Sequence, residues 1–194
     1  MKNQSLSLRR RFARLPILGA LFALGACASH PPMPTVPAVD LERFMGDWFV
    51  IEAIPASSER EAYNGVESYR MREDGQIATT YAFRDGGFDG KLKVMEPVGC
   101  VDNKTTNATW GMQFFWPFHA EYLIVYLNPE YTETIIGRTK RDYVWIMART
   151  PDLPAARLEA LEAEVERLGY DRTKLRRVPQ RWPDPGHPYS APTR

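Results

Sequence analysis

The side chains that could do chemistry are few and far apart. The three histidines, His30, His119 and His187, stand in different stretches, and none is at metal-ligand spacing from another or ordered with a serine and an acid as a triad. Glu67, Glu96 and Glu121 are isolated carboxylates in strand-like runs, where they are expected to face water. Of the two cysteines, Cys100 follows Gly99 with no histidine nearby to take its proton, so it reads as a small buried hydrophobe rather than a nucleophile. The residues therefore suggest no catalytic group, no metal site and no cofactor.

The other cysteine sits in a context that gives it a reaction. Lys2, Arg9, Arg10, Arg11 and Arg14 form a basic start, residues 17–24 are apolar, and Gly25 and Ala26 are small residues leading into Cys27. So short an apolar run cannot stay in a bilayer as a helix, and the layout is that of a cleaved export signal spanning residues 1–26. Leu24-Gly25-Ala26-Cys27 resembles the bacterial lipobox, which implies that the Cys27 thiol takes a diacylglyceryl group. Ala28, where an aspartate would signal inner-membrane retention, points to the outer membrane, with the domain on its periplasmic face.

Cleavage changes the charge. The whole chain has 25 basic and 24 acidic residues; losing five basic ones moves its net charge from +1 to −4, which gives no footprint for a nucleic acid. With Cys27 acylated, Cys100 has no partner, so no disulfide framework is expected. Residues 27–39 carry Pro31, Pro32, Pro34 and Pro37 and read as an extended tether that buries nothing. Residues 183–194, again rich in proline, read as a disordered tail, which leaves one domain over residues 40–182.

Within that domain, β-branched and aromatic runs alternate with turn signals. Strands are predicted at 48–54, 65–72, 76–83, 92–96, 108–116, 121–127, 132–138 and 143–149, with a short final one at 175–178. The last connections are short, which predicts an antiparallel meander able to close into a barrel. One stretch has a different period. Leu158, Leu161, Val165 and Leu168 recur at helical spacing after Pro154 and before Gly169, predicting a helix over 155–168 that lays its apolar stripe on the outside of the sheet.

Gly46-Asp47-Trp48 on the first strand resembles the G-x-W signature of lipocalins. Asn128-Pro129-Glu130-Tyr131 is similar to the family's D-x-x-Y turn, with asparagine for aspartate, and Arg149 at the end of the last barrel strand is similar to its signature arginine. The likeness runs over residues 40–182 and is strongest to the bacterial branch. It implies an all-β fold: an eight-stranded up-and-down barrel with one C-terminal helix packed outside. Gly46, Trp48 and Arg149 would then be structural, closing the barrel base with a guanidinium stacked on an indole.

Alternation along the strands then nominates a pocket. If Arg149 points to the interior base, Tyr143, Trp145 and Met147 share its side and Val144, Ile146 and Ala148 face out. Tyr122, Ile124 and Tyr126 form one face of their strand, and Trp110, Met112, Phe114 and Trp116 one face of theirs. Lining a cavity, these side chains would hold a lipid or small apolar ligand; equally, the same aromatics could fill a solid core. The resemblance implies a binding module that stores or transports a fatty acid, lysophospholipid or similar amphiphile for the envelope under stress, and it makes a homodimer the expected assembly. The alternatives are a structural envelope lipoprotein with a filled barrel and an enzyme acting on a lipid in the cavity.

Overall fold

The computed structural model describes residues 30–189. The signal-like segment, Cys27 and residues 190–194 lie outside the described residues. The strands are β1 (Gly46–Ile54), β2 (Ala62–Met71), β3 (Ile77–Asp85), β4 (Lys91–Met95), β5 (Val98–Val101), β6 (Thr109–Phe115), β7 (Phe118–Leu127), β8 (Glu133–Gly137), β9 (Val144–Ala148) and β10 (Arg176–Arg177). The antiparallel order runs β1-β2-β3-β5-β6-β7-β8-β9, and β1 also pairs with β9 through Val50 opposite Met147 and Ala53 opposite Trp145. The sheet thus closes on itself. Both β4 and β5 pair with β3, so together they make one stave of an eight-stave barrel. The break falls at Glu96-Pro97, because proline has no N–H for the ladder; Pro97 still contributes its carbonyl, accepting from the Thr79 N–H at 3.2 Å. β5 was not foreseen, since its run of four residues is too short to show a period. β10 adds to the outer edge of β1.

Alternation sends one set of side chains inside and the other outside. Trp48, Tyr69, Tyr81, Trp110, Tyr122, Trp145 and Met147 belong to the inner core. Phe49, Ile135, Val144 and Ile146 face out and meet Leu158, Leu161 and Val165 of helix α2 (Ala155–Arg167). The helix begins after Pro154 and stops before Gly169, whose φ of +90° suits glycine at this position. Arg157 on its first turn donates to Glu133 at 2.6 Å, fixing it to β8. A second helix, α1 (Leu41–Phe44), crosses the barrel base. At four residues it is too short for periodicity to reveal, and its start is set by Asp40, whose carboxylate accepts from the Arg43 N–H at 3.2 Å.

Both flanks pack more than their composition implies. In the proline-rich stretch, Met33 and Val39 are buried, and the N–H groups of Val36 and Val39 donate to carbonyls of Ile124 and Thr106. A chain with few side chains to bury still gains from backbone hydrogen bonds to a neighbouring surface. Pro183 through Tyr189 also lies on the barrel rather than loose. Asp184 pairs with Arg84 at 2.7 Å, His187 is buried, and Tyr189 meets Phe49 edge-on at 4.9 Å.

Candidate functional site: a filled base and an open cup

At the base, β1 leaves α1 through Gly46, where φ is +95° and a Cβ would come within 3.2 Å of the Arg149 guanidinium. That space is needed, because Arg149 reaches across the end of the barrel. Its guanidinium lies 3.8 Å from the Trp48 ring centre and donates to the carbonyls of Asp47, Phe44 and Met45 at 2.8, 3.0 and 2.8 Å. Burial lowers its pKa to about 10, so it stays charged at neutral pH. The Trp48 indole, fully buried, donates to the Phe44 carbonyl at 2.9 Å. The Asn128–Tyr131 turn completes the floor. Asn128 Oδ1 accepts from the N–H groups of Thr132 and Glu133 at 2.8 and 2.9 Å, and the Tyr131 hydroxyl accepts from the Asp40 N–H at 2.8 Å. Asparagine does here the turn work expected of aspartate.

Above the floor, aromatic rings fill the lower barrel. Phe44 lies 5.1 Å from Trp48 and 5.5 Å from Trp110, and Trp110 stacks on Tyr122 at 5.3 Å. The Tyr69 and Tyr122 hydroxyls hydrogen-bond each other, which satisfies both polar tips inside the core. Phe44, Trp48, Tyr69 and Trp110 are all fully buried at this level.

The upper barrel differs. A cavity of about 120 Å³ lies among Glu59, Glu67, Tyr81, Met95, Met112, Phe114, Tyr122, Tyr143 and Trp145. Tyr81 and Trp145 are 4.8 Å apart, Trp145 and Tyr143 5.1 Å, and together they wall one side. Glu59 ends the turn Ser57–Glu59 between β1 and β2, and the Tyr143 hydroxyl approaches its Oε2 at 3.4 Å. Burial pushes Glu59 up to about 7, against the pull of Trp145 and Tyr143 beside it. The Trp145 N–H lies near enough to favour the charged acid but makes no well-aligned hydrogen bond. Glu67, opposite Trp48 on β1 and Tyr81 on β3, is 1% exposed and its Oε2 has no hydrogen-bond partner. Burial, then the nearby Glu59, hold Glu67 well above the ordinary carboxylate range.

The proposed pocket residues divide between these levels. Tyr143, Trp145, Tyr122 and Met112 border the cavity; Phe114 is at its mouth, 54% exposed. Trp110, Ile124 and Met147 point inward but belong to the packed core below. Tyr126 is a correction: it faces outward, beside Arg157. A bulge between Ile124 and Tyr126 places an extra residue on β7, and parity reverses beyond it. Trp116, expected on the inner face, projects from the β6–β7 hairpin and is 83% exposed. Glu67 is a further correction, because it was expected to face water and is buried. On β2 neither alternating set, Gly65-Glu67-Tyr69 or Val66-Ser68-Arg70, is clearly apolar, so nothing in the pattern marked it as inward. Cys100 is half-buried on β5, 3.6 Å from the Gln76 amide.

A family model described as a lipocalin-like domain matches residues 39–180. The chain is 28% identical to the outer membrane lipoprotein Blc of Escherichia coli K12, covering 83% of this chain and 94% of Blc. It is also 28% identical to temperature-induced lipocalin-1 of Arabidopsis thaliana, covering 76% of this chain and 83% of that protein. Among solved structures, insecticyanin from the tobacco hornworm Manduca sexta superposes with a TM-score of 0.61 at 16% identity, covering 77% of this chain and 85% of insecticyanin. With its closed barrel, its stacked arginine at the base and its outer helix α2, the chain belongs to the lipocalin family.

Proposed function

We propose that this protein is a lipid-binding lipoprotein of the outer membrane, held at the periplasmic face through acylated Cys27. In this reading it stores or transports a fatty acid, lysophospholipid or related amphiphile for envelope maintenance under stress. Its likeness to a bacterial outer membrane lipoprotein supports the location. An acylated Cys27 with a diacylglyceryl group and an N-terminal acyl chain would carry more than one chain, enough for lasting attachment.

The observation that carries the binding role is the cup itself, a space walled by Tyr81, Tyr143, Trp145 and Met112 together with two buried acids, above a filled base. Beside its mouth, Phe115, Trp116 and Phe118 of the β6–β7 hairpin are exposed at 67%, 83% and 66%. An amphiphile would seat one end among Tyr143, Trp145 and Met112 and lay its remaining length against that aromatic hairpin. The filled-barrel reading draws on one observation too: about 120 Å³ is small beside the roughly 300–1,000 Å³ of common ligand pockets. It is nonetheless close to the space that holds a benzene-sized guest, about 150 Å³.

Native mass spectrometry of the protein taken from membranes, followed by extraction of what it carries, separates the readings. A bound single-chain amphiphile, displaced by added lysophospholipid, is the expected result. A delipidated, folded protein that takes up neither fatty acid nor lysophospholipid favours the filled barrel.

A further inference from the structure

The cup contains two acids where an acid is costly. Glu59 and Glu67 both border a cavity whose other walls are largely aromatic, with Tyr81, Tyr143 and Trp145 presenting ring surface to it. Glu67 Oε2 is an orphaned acceptor, fully shut away from water. A buried carboxyl that contributed only packing would be better replaced by leucine or glutamine, so its presence calls for a partner. Within the fold, that partner is missing. The cation bordering this cavity is Arg138; its Nη1 lies 3.7 Å from Asp142 at the rim, and its buried Nε has no hydrogen-bond partner. Glu121, also at the rim, is occupied by the Thr139 N–H and hydroxyl at 2.7 and 2.8 Å.

We propose that the upper cavity is a site for a protonated amine carried on a slim apolar body. The ammonium would sit between Glu59 and Glu67 and against the faces of Tyr81, Tyr143 and Trp145, with the apolar body running toward Phe114 and the mouth. Three physical demands meet in that arrangement. An N⁺–H donor satisfies the orphaned Glu67 oxygen, a cation lies over aromatic faces that attract it, and its charge favours the carboxylate form of an acid that burial otherwise keeps protonated. A fatty acid entering head first would instead bring a third carboxyl to two already crowded ones. The cavity volume suits an ammonium and a few carbons.

Amine binding also moves a proton. Burial, then the nearby Glu59, favour the protonated form of Glu67, with Glu59, Tyr81, Tyr122 and Tyr143 around the same cavity, Tyr69 bonded to Tyr122 and Arg138 at the rim. An arriving ammonium stabilises the carboxylate, so the Glu67 proton passes to solvent as the ion pair forms.

This inference rests on the cup being a ligand site, and the test keeps the two apart. Octylamine, octan-1-ol and octanoate share one chain and differ in head group; each is titrated calorimetrically into delipidated protein at neutral pH, in two buffers of different ionisation enthalpy. Octylamine is expected to bind about ten-fold or more tighter than octanoate and to release protons on binding. Glu67→Gln should weaken octylamine by about ten-fold while leaving octanol within about two-fold, and Glu59→Gln should weaken it less. Glu159→Gln, exposed on helix α2 outside the barrel, should change nothing. Octanol bound by a protein that shows no amine preference and no effect of either glutamine variant overturns the amine site and leaves the lipid cup standing. Failure of all three probes and of lysophospholipid removes the cup as well.

Discussion

At the closed end of the barrel, Arg149 donates to a ring of backbone carbonyls and stacks on Trp48, and the tyrosine hydroxyls above it bond each other. At the open end, built from the same kinds of side chain, the Trp145 N–H and Glu67 Oε2 are buried without partners. A cation in the base is fully coordinated by the fold, whereas an acid in the cup is not. Fully satisfied polar groups rigidify a core, and unsatisfied ones raise its energy until something arrives to meet them. The difference separates the part of the barrel that holds the structure from the part available to a ligand. It also explains why aromatic content alone could not distinguish a filled barrel from a hollow one: this barrel is filled below and open above.

The contrast makes substitutions at the two ends behave differently. The largest loss is expected for Trp48→Ala, about 3–5 kcal/mol by denaturant unfolding, because a fully buried indole leaves a cavity beneath the packed rings. Arg149→Ala should also destabilise, and the two should not add. A double-mutant cycle is expected to show coupling of about 0.5–3 kcal/mol, and strict additivity would mean that the stacked pair carries no shared energy.

In the cup and just outside the barrel the expected signal is pH dependence. Burial, with the neighbouring Glu162, raises Glu52 to about 7; Glu59 is also near 7, and Glu67 lies above its ordinary 4.5. These acids hold protons more tightly when folded, so the folded chain binds more protons than the unfolded one between pH 4.5 and about 7. Their stabilising protonation is complete below 4.5 and is lost as pH rises through about 7. The melting temperature should therefore be higher near pH 5.5 than near pH 8, and Glu67→Gln should flatten that slope while leaving the fold at least as stable at the alkaline end. A wild-type melting temperature that climbs from acid to alkaline pH would contradict the assignment. The smallest effect belongs to the outer wall. Val144→Ala should loosen packing against α2, seen as a modest stability loss, and leave amphiphile affinity unchanged.

Much of this was legible in the sequence, for identifiable reasons. β9 is short and contains no bulge, so counting by twos from Arg149 placed Tyr143, Trp145 and Met147 inside and Val144 and Ile146 outside. The same counting failed on β7, where the bulge after Ile124 turned Tyr126 outward, since an inserted residue leaves no mark in a periodic pattern. Helix α2 was readable because it spans several turns with proline before it and glycine after it, and α1 was not, having one turn. The acid pair was missed because its members are joined only by folding. Glu59 comes from a loop and Glu67 from a strand whose two faces are equally polar, and neither has a sequence neighbour that hints at burial. The packed terminal stretches were missed because proline-rich composition reports poor self-association, not the surface of a barrel lying next to it.

The central claim is that ligand enters the cup and leaves the base untouched, and intrinsic fluorescence tests it most directly. Trp145 borders the cavity and Trp110 lies in the filled layer beneath it. Delipidated wild type, Trp145→Phe and Trp110→Phe are titrated with a single-chain lysophospholipid, with near-ultraviolet circular dichroism confirming that each variant is folded. A saturable change in wild type that persists in Trp110→Phe and largely disappears in Trp145→Phe is the predicted result. A change that survives in Trp145→Phe and disappears in Trp110→Phe would place the ligand in the base and contradict the account.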